Sequence, residues 1–316
     1  MNPIQRRAPY LFLLPFLLLF ALFFVFPFLY SLYLSFFVNQ GGSNRFVGLE
    51  NYLTAWQDYD FWYSIYRVAY YGVVQVSVML FLALALALLL DSPFIKGKTL
   101  FRLIYFLPYA VPGVIAAIMW GFLYSPELNP LLHVFGILTG GKPLDLLSSD
   151  LVLYGIANMA VWAWTGYNMT IYFASLTSIP LELYEAAKLD GCSEWKMALY
   201  IKIPLLKPVI IMTAVLSIIG SLQLFNEPFI LSNLTSIPSS FTPNMDIYNM
   251  AFAYGNFTYS ATLSIILVLI TFMASMLFMI ATADGTIGGR KQVQSGKKTK
   301  RFASARIDEK REGVDT

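Results

Sequence analysis

An all-α membrane protein with six membrane-spanning helices is the fold class this sequence predicts, on three observations. The 316 residues are 58% hydrophobic and only 12% charged, whereas a water-soluble domain carries roughly 25% charged residues. Uncharged stretches at 10–38, 68–90, 103–124, 151–176, 209–226 and 257–281 each approach or exceed the ~20 residues a helix needs to cross a bilayer. Lys and Arg, finally, fall almost entirely on one side of those six stretches.

The first stretch follows Arg6 and Arg7, is too long for a secretory signal peptide, and is followed by no small-residue cleavage pattern. As a straight helix it would reach roughly 43 Å, more than a ~30 Å hydrocarbon core requires, so Pro15 and Pro27 predict kinks or tilt. A Leu/Ala run at 81–90 fills the second stretch. Pro108 and Pro112 interrupt the third, and Pro228 ends the fifth. With both termini in the cytoplasm, the inner segments hold Arg6, Arg7, Lys96, Lys98, Arg102, Lys188, Lys196, Lys202, Lys207 and the basic residues from Arg290 onward, 18 of the 21. The outer side holds Arg45, Arg67 and Lys142. Residues 1–283 are thus expected to form one transmembrane domain. Residues 284–316, where Gly285, Gly288 and Gly289 lead into Lys, Arg, Ser and Thr, are expected to be a disordered basic tail, a solvated anchor or an attractor of anionic lipid headgroups.

The segment 177–207, between the fourth and fifth spans, is longer than a helix-to-helix turn requires. Pro180 suits a first helical turn. Leu181, Tyr184 and Ala187 recur at three-residue spacing, and Asp190-Gly191 predicts a stop in which glycine takes the left-handed conformation. Ser193 then caps a second short helix carrying Trp195, Leu199 and Ile203, which Pro204 and Pro208 are expected to end or bend. The pattern describes a helix-turn-helix at the inner membrane surface.

Glu185-Ala186-Ala187, three residues, Gly191, nine residues and Ile201-Lys202-Ile203-Pro204 resemble the EAA loop of binding-protein-dependent ABC importer permeases, in its place before the penultimate span. Phe46-Val47-Gly48-Leu49-Glu50-Asn51-Tyr52, Phe101-Arg102 with Leu107-Pro108, and Phe225-Asn226-Glu227-Pro228 extend the resemblance toward the maltose-type sugar permeases. Departures are Ile203 where that family has leucine, and Cys192 and Ala198 where sugar permeases carry alanine and an aromatic residue. The resemblance implies a type I ABC importer permease architecture with a cytoplasmic EAA coupling loop. It implies a non-catalytic transport subunit in a bacterial inner membrane, with both termini cytoplasmic. Glu185, Ala186, Ala187, Asp190, Gly191, Ile201 and Pro204 would couple it to ATPase subunits. Its implied partners are a second permease, two ATPase subunits that carry the ATP and Mg, an extracytoplasmic solute-binding protein, membrane lipid and a sugar or oligosaccharide, with no nucleic acid. A glycerol phosphate, a polyamine or a self-sufficient secondary transporter are the alternatives.

Other chemistries find little support in the residues. One cysteine, Cys192, and one histidine, His133, make no disulfide framework or zinc cluster. The run from Gly136 to Lys142 approaches a phosphate-binding loop but continues with Pro143 where Ser or Thr is needed. No Asp, Glu, Lys, Arg or His interrupts the cores of the spans, which disfavours proton coupling. Cargo contacts are therefore sought among amide and aromatic side chains. Tyr154, Asn158, Trp162 and Thr165 recur at helical spacing on the fourth span, and Gly220, Gln223 and Glu227, beside Asn226, on the fifth. Helix-to-helix packing is the competing explanation for each.

Overall fold

The computed structural model describes residues 3–282 except 41, 126–128, 130, 131, 133, 135–137 and 139–144. His133, most of the 136–142 run with Lys142, and the tail 284–316 lie outside the described residues. The first stretch forms α1 (Pro3–Phe20), a π-helical turn (Ala21–Val25) and α2 (Phe26–Leu34). Its helix stops at Leu34, short of 38, because a two-stranded antiparallel hairpin follows, β1 (Phe37–Gln40) and β2 (Ser43–Phe46), with Phe37 opposite Phe46. None of residues 12–30 is buried. The Ser35 carbonyl anchors the end of α2, accepting from Asn51 Nδ2 at 2.9 Å and Thr262 Oγ1 at 3.1 Å. Asn51 lies on α3 (Glu50–Trp56) and also donates to Phe37 O at 2.8 Å. The 46–52 motif thus fastens the hairpin to the helices.

The second stretch is longer than its apolar core: α4 runs Tyr59–Asp91, with the Asp58 side chain accepting from Phe61 N at its start. The third is no straight span. α5 (Lys98–Phe106) and a 3-10 turn (Leu107–Ala110) meet α6 (Gly113–Tyr124) at a bend of 93°. Val111 is extended there, as a residue before proline is driven to be, and Pro112 starts the new direction. The fourth is α7 (Val152–Thr177). Gly166 on α7 lets the backbone of α5 approach, since a methyl there would overlap the Tyr105 carbonyl oxygen.

The fifth stretch departs most from its sequence reading. The short helices α8 (Leu181–Leu189) and α9 (Glu194–Met197) are followed by a π turn (Ala198–Lys202) that runs straight into α10 (Ile203–Leu222). Pro204 and Pro208 do not end the helix. The π turn resolves the conflict: Ile203 N–H reaches back to Ala198 O, and the widened ring stands just before Pro204. Phe26 N–H bonds Ala21 O in the same way just before Pro27. A proline lacks the N–H for an ordinary helical bond and crowds the carbonyl four residues back, which a wider turn relieves. α11 (Asn226–Leu231), α12 (Pro243–Phe252) and α13 (Phe257–Thr282) complete the chain.

Among the described residues, four helical runs are long and apolar enough to cross a membrane, and a fifth if the bent pair counts as one. α7 is not among them. At 26 residues it would reach about 39 Å and it holds no charged residue, but Asn158, Asn168 and its Tyr, Trp and Thr side chains dilute its apolar character.

α4 and α7 form the centre of the fold and run the same way, since Tyr70 meets Tyr154 near one end while Met79 meets Asn168 further along. α10 runs against both: Tyr172 and Thr213 share a 2.6 Å hydrogen bond, and Ser221 lies against Gly72. One apolar cluster holds the three together, and a second joins α4 and α7 to α6 and α11. Ala83, Ala87, Leu90, Met169, Tyr172, Leu176 and Leu206 pack near the coupling loop, where small alanines let helices approach. Tyr71, Tyr124, Ile156, Leu224, Leu231 and Phe241 pack near the hairpin.

Candidate functional site

The turn between α8 and α9 is closed by its own backbone. Gly191 has φ +73, Gly191 N–H bonds Lys188 O at 3.0 Å and Cys192 N–H bonds Ala187 O at 2.9 Å. Those two bonds are the Schellman pair that satisfies the last carbonyls of a helix, and they need a residue in the left-handed region. Ser193 then caps α9, accepting from Lys196 N. Of the residues singled out in this loop, Glu185, Ala186, Asp190, Gly191 and Pro204 are exposed, Ile201 is half-buried and Ala187 is buried. Ala187 therefore faces its own protein, and Ala186 is the alanine open to a partner. Glu185 and Asp190 make no ion pair among the described residues. Large apolar side chains flank them in the open: Leu189 is 89% exposed, Tyr200 76% and Trp195 72%. A soluble surface rarely keeps such a patch uncovered.

Beneath the loop lies a charged hub that sequence reasoning missed. Lys202, counted there only among the inner basic residues and in the motif 201–204, has a side chain only 5% exposed and pairs with Asp91, the last residue of α4, at 2.7 Å. Its ammonium is also 3.8 Å from Glu194 at the start of α9 and 5.3 Å from the ring centre of Tyr184 on α8. Glu194 lies a further 3.8 Å from Lys188. Burial, then the charges of Asp91 and Glu194, push the Tyr184 hydroxyl up to about 12, so it stays protonated at neutral pH. A lone lysine at the start of an apolar run, just ahead of a proline, was the available signal for Lys202. Nothing local in the sequence pointed to Asp91 as its partner.

The row on α7 holds together. Tyr154 shares a 2.8 Å hydrogen bond with Tyr70, Asn158 Nδ2 donates to Tyr124 Oη at 2.8 Å, and the Trp162 ring meets Trp120 edge-on at 5.7 Å. Tyr154 and Asn158 are exposed, while Thr165 is buried and returns its hydroxyl to Val161 O. The row on the fifth stretch does not hold, because the helix breaks between Leu222 and Asn226. Gln223 instead lines a cavity of about 780 Å³ with Asn244, Phe225, Tyr248 and Phe252. Glu227 turns toward Gly113 at the head of α6, 3.9 Å from where a Cβ would stand. Asn226 is exposed beside it, and Gly220 has open space around it.

Residues 79–283 match the family model described as the binding-protein-dependent transport system inner membrane component. The chain belongs to this family. It is a multi-pass membrane permease and not an enzyme. The permease is 36% identical over 281 residues to a lactose transport system permease protein of Rhizobium radiobacter, covering 87% of this chain and 94% of that one. It is 30% identical over 275 residues to an arabinooligosaccharides transport system permease protein of Bacillus subtilis, covering 86% and 88%. Among solved structures, a chain of a bacterial ABC transporter that imports the polysaccharide alginate superposes with a TM-score of 0.79 over 89% of the permease and 97% of that chain. At 20% identity that likeness speaks for the fold.

Proposed function

We propose that this permease is half of the conduit of an ATP-driven importer, crossing the membrane six times with both termini and the α8–α9 loop in the cytoplasm. Its cargo is a sugar or oligosaccharide, delivered by an extracytoplasmic binding protein. A second permease completes the path, and two ATPase subunits, holding ATP and Mg, grip the loop. Helix directions support six crossings. α4 and α7 run the same way, so the chain between them returns across the membrane, and the bent α5–α6 pair is the segment available for that return. α2 ends and α13 begins at the hairpin end, joined through Ser35 and Thr262, so α1 starts and α13 finishes at the loop end. The basic bias of the loop end supports its placement in the cytoplasm. The cargo reading rests on the relatives named for lactose and arabinooligosaccharides and on the exposed Tyr154, Asn158 and Gln223, whose rings and amides suit hydroxyl-rich solutes.

The observation that carries the coupling is the open, backbone-closed corner at Gly191, with the exposed carboxylates of Glu185 and Asp190 and exposed apolar side chains around it. Among the described residues, Glu185 and Asp190 pair with no basic side chain, and the corner stands open to a partner. In vesicles carrying the complete importer, Gly191→Pro and Glu185→Lys are expected to abolish uptake while membrane insertion persists. Wild-type uptake by either variant would refute the assignment of the loop.

A further inference from the structure

Asp91 and Lys202 lie far apart in the chain and meet where three loop elements converge. The 2.7 Å contact is shielded, with side-chain exposures of 15% and 5%. Asp91 closes α4, where the helix dipole leaves negative potential that disfavours a carboxylate. Two lysines compensate: Lys202 pairs with the carboxylate, and Lys98 Nζ donates to the Asp91 backbone carbonyl at 3.2 Å. Lys202 closes the π turn that joins α9 to α10, and its ammonium also faces Glu194 and the ring of Tyr184. One cation therefore touches the coupling helix α8, its companion α9, the start of α10 and the end of α4.

Stability alone does not account for such a pair. Replacing a buried ion pair by apolar side chains of similar size is often neutral or stabilising, because two charges must be desolvated to form it. What the pair supplies is register: an ammonium-carboxylate contact fixes which point on the loop sits against which point on α4, and a greasy contact there would slide. α4 is packed along its length against α7, which carries Tyr154 and Asn158. A π turn is also the kind of irregular helical turn that gathers at functional sites.

We propose that Lys202 and Asp91 are positioning residues for energy coupling: their ion pair is the strut through which displacement of the α8–α9 loop is passed to α4. The inference rests on the importer reading above. The strut acts on the stoichiometry of transport, not on the grip of the ATPase.

The test uses the complete importer with its binding protein in sealed vesicles, reading ATP hydrolysed per solute taken up. Asp91→Asn combined with Lys202→Met leaves no unpaired buried charge, so it folds even where either single change does not. In that double variant the ratio is expected to rise about tenfold, within the usual range of coupling free energies. Lys202→Arg, which keeps the charge, should stay within about twofold of wild type. A wild-type ratio in the double variant overturns the strut, as does a Lys202→Arg protein as uncoupled as the double variant. Failure of the importer reading is distinguishable, because the wild-type protein itself would then show no hydrolysis stimulated by loaded binding protein.

Discussion

At the hairpin end α4 is held from several directions, by the Tyr259 hydroxyl on Asp58 at 2.7 Å, by Arg67 donating to the Phe241 carbonyl at 2.8 Å and stacked on Tyr63 and Phe241, and by two apolar clusters. At the loop end it packs on α7, and its ionic link to the coupling loop runs through one ammonium, Lys202. The difference is between a frame braced by polar contacts from several elements and a lever end whose ion pair to the loop, among the described residues, is the one between Asp91 and Lys202. Frame contacts are many and individually replaceable. The polar part of the joint is one ion pair over an apolar contact, so small changes there are expected to alter transport more than stability, and changes in the frame the reverse.

Breaking the frame should have the largest effect on stability. Gly166→Leu places a side chain where the Tyr105 carbonyl oxygen stands, and α5 and α7 must separate to admit it. A loss of about 3 kcal/mol is expected, read as a drop in the thermal unfolding midpoint of detergent-purified protein. An unchanged midpoint would mean that the α5–α7 contact is not part of the braced frame.

A smaller effect with a sign of its own comes from Asp246 on α12. Its carboxyl is only 4% exposed, with one oxygen lacking a partner, and burial, with Asp58 and then Asp60 nearby, raises it from 3.8 to about 6. Tyr259 on α13 bonds Asp58 in the same cluster. The folded state therefore holds this proton more tightly than the unfolded one. The stabilisation is complete below about 3.8, the unfolded value, and lost as pH rises through about 6. Asp246→Asn removes the buried charge, so it should raise stability at pH 7.5 by on the order of 2 kcal/mol and flatten the pH dependence between these values. Unfolding curves at several pH values check both, and an unaltered profile would remove Asp246 from the account.

Features set by local chemistry were legible in the sequence. Gly191 after Asp190 predicts the left-handed corner because few residues other than glycine adopt it cheaply, and the corner is there. Pro112 marked the break in the third span, but neither its 93° angle nor the hairpin at 37–46 was readable, since both depend on what packs against them. Pro204 does not end the helix, because a π turn lets a helix run through a proline and leaves no compositional trace. The pairing of Gln223 with Glu227 failed for a related reason: helical spacing has meaning only while the helix continues, and it stops at Leu222. The Asp91–Lys202 joint was invisible because nothing local ties two residues so distant in the chain.

The central claim is that a separate motor subunit engages the permease at the Gly191 corner and not at the braced hairpin end. Cys192→Ala removes the native cysteine, and single cysteines are then introduced at Ala186 and, for contrast, at Tyr154. In membranes containing the complete importer, a short bifunctional thiol crosslinker is expected to join Ala186→Cys to an ATPase subunit and to leave Tyr154→Cys unlinked to it. No ATPase adduct at Ala186→Cys, or equal adducts at both positions, would contradict the account.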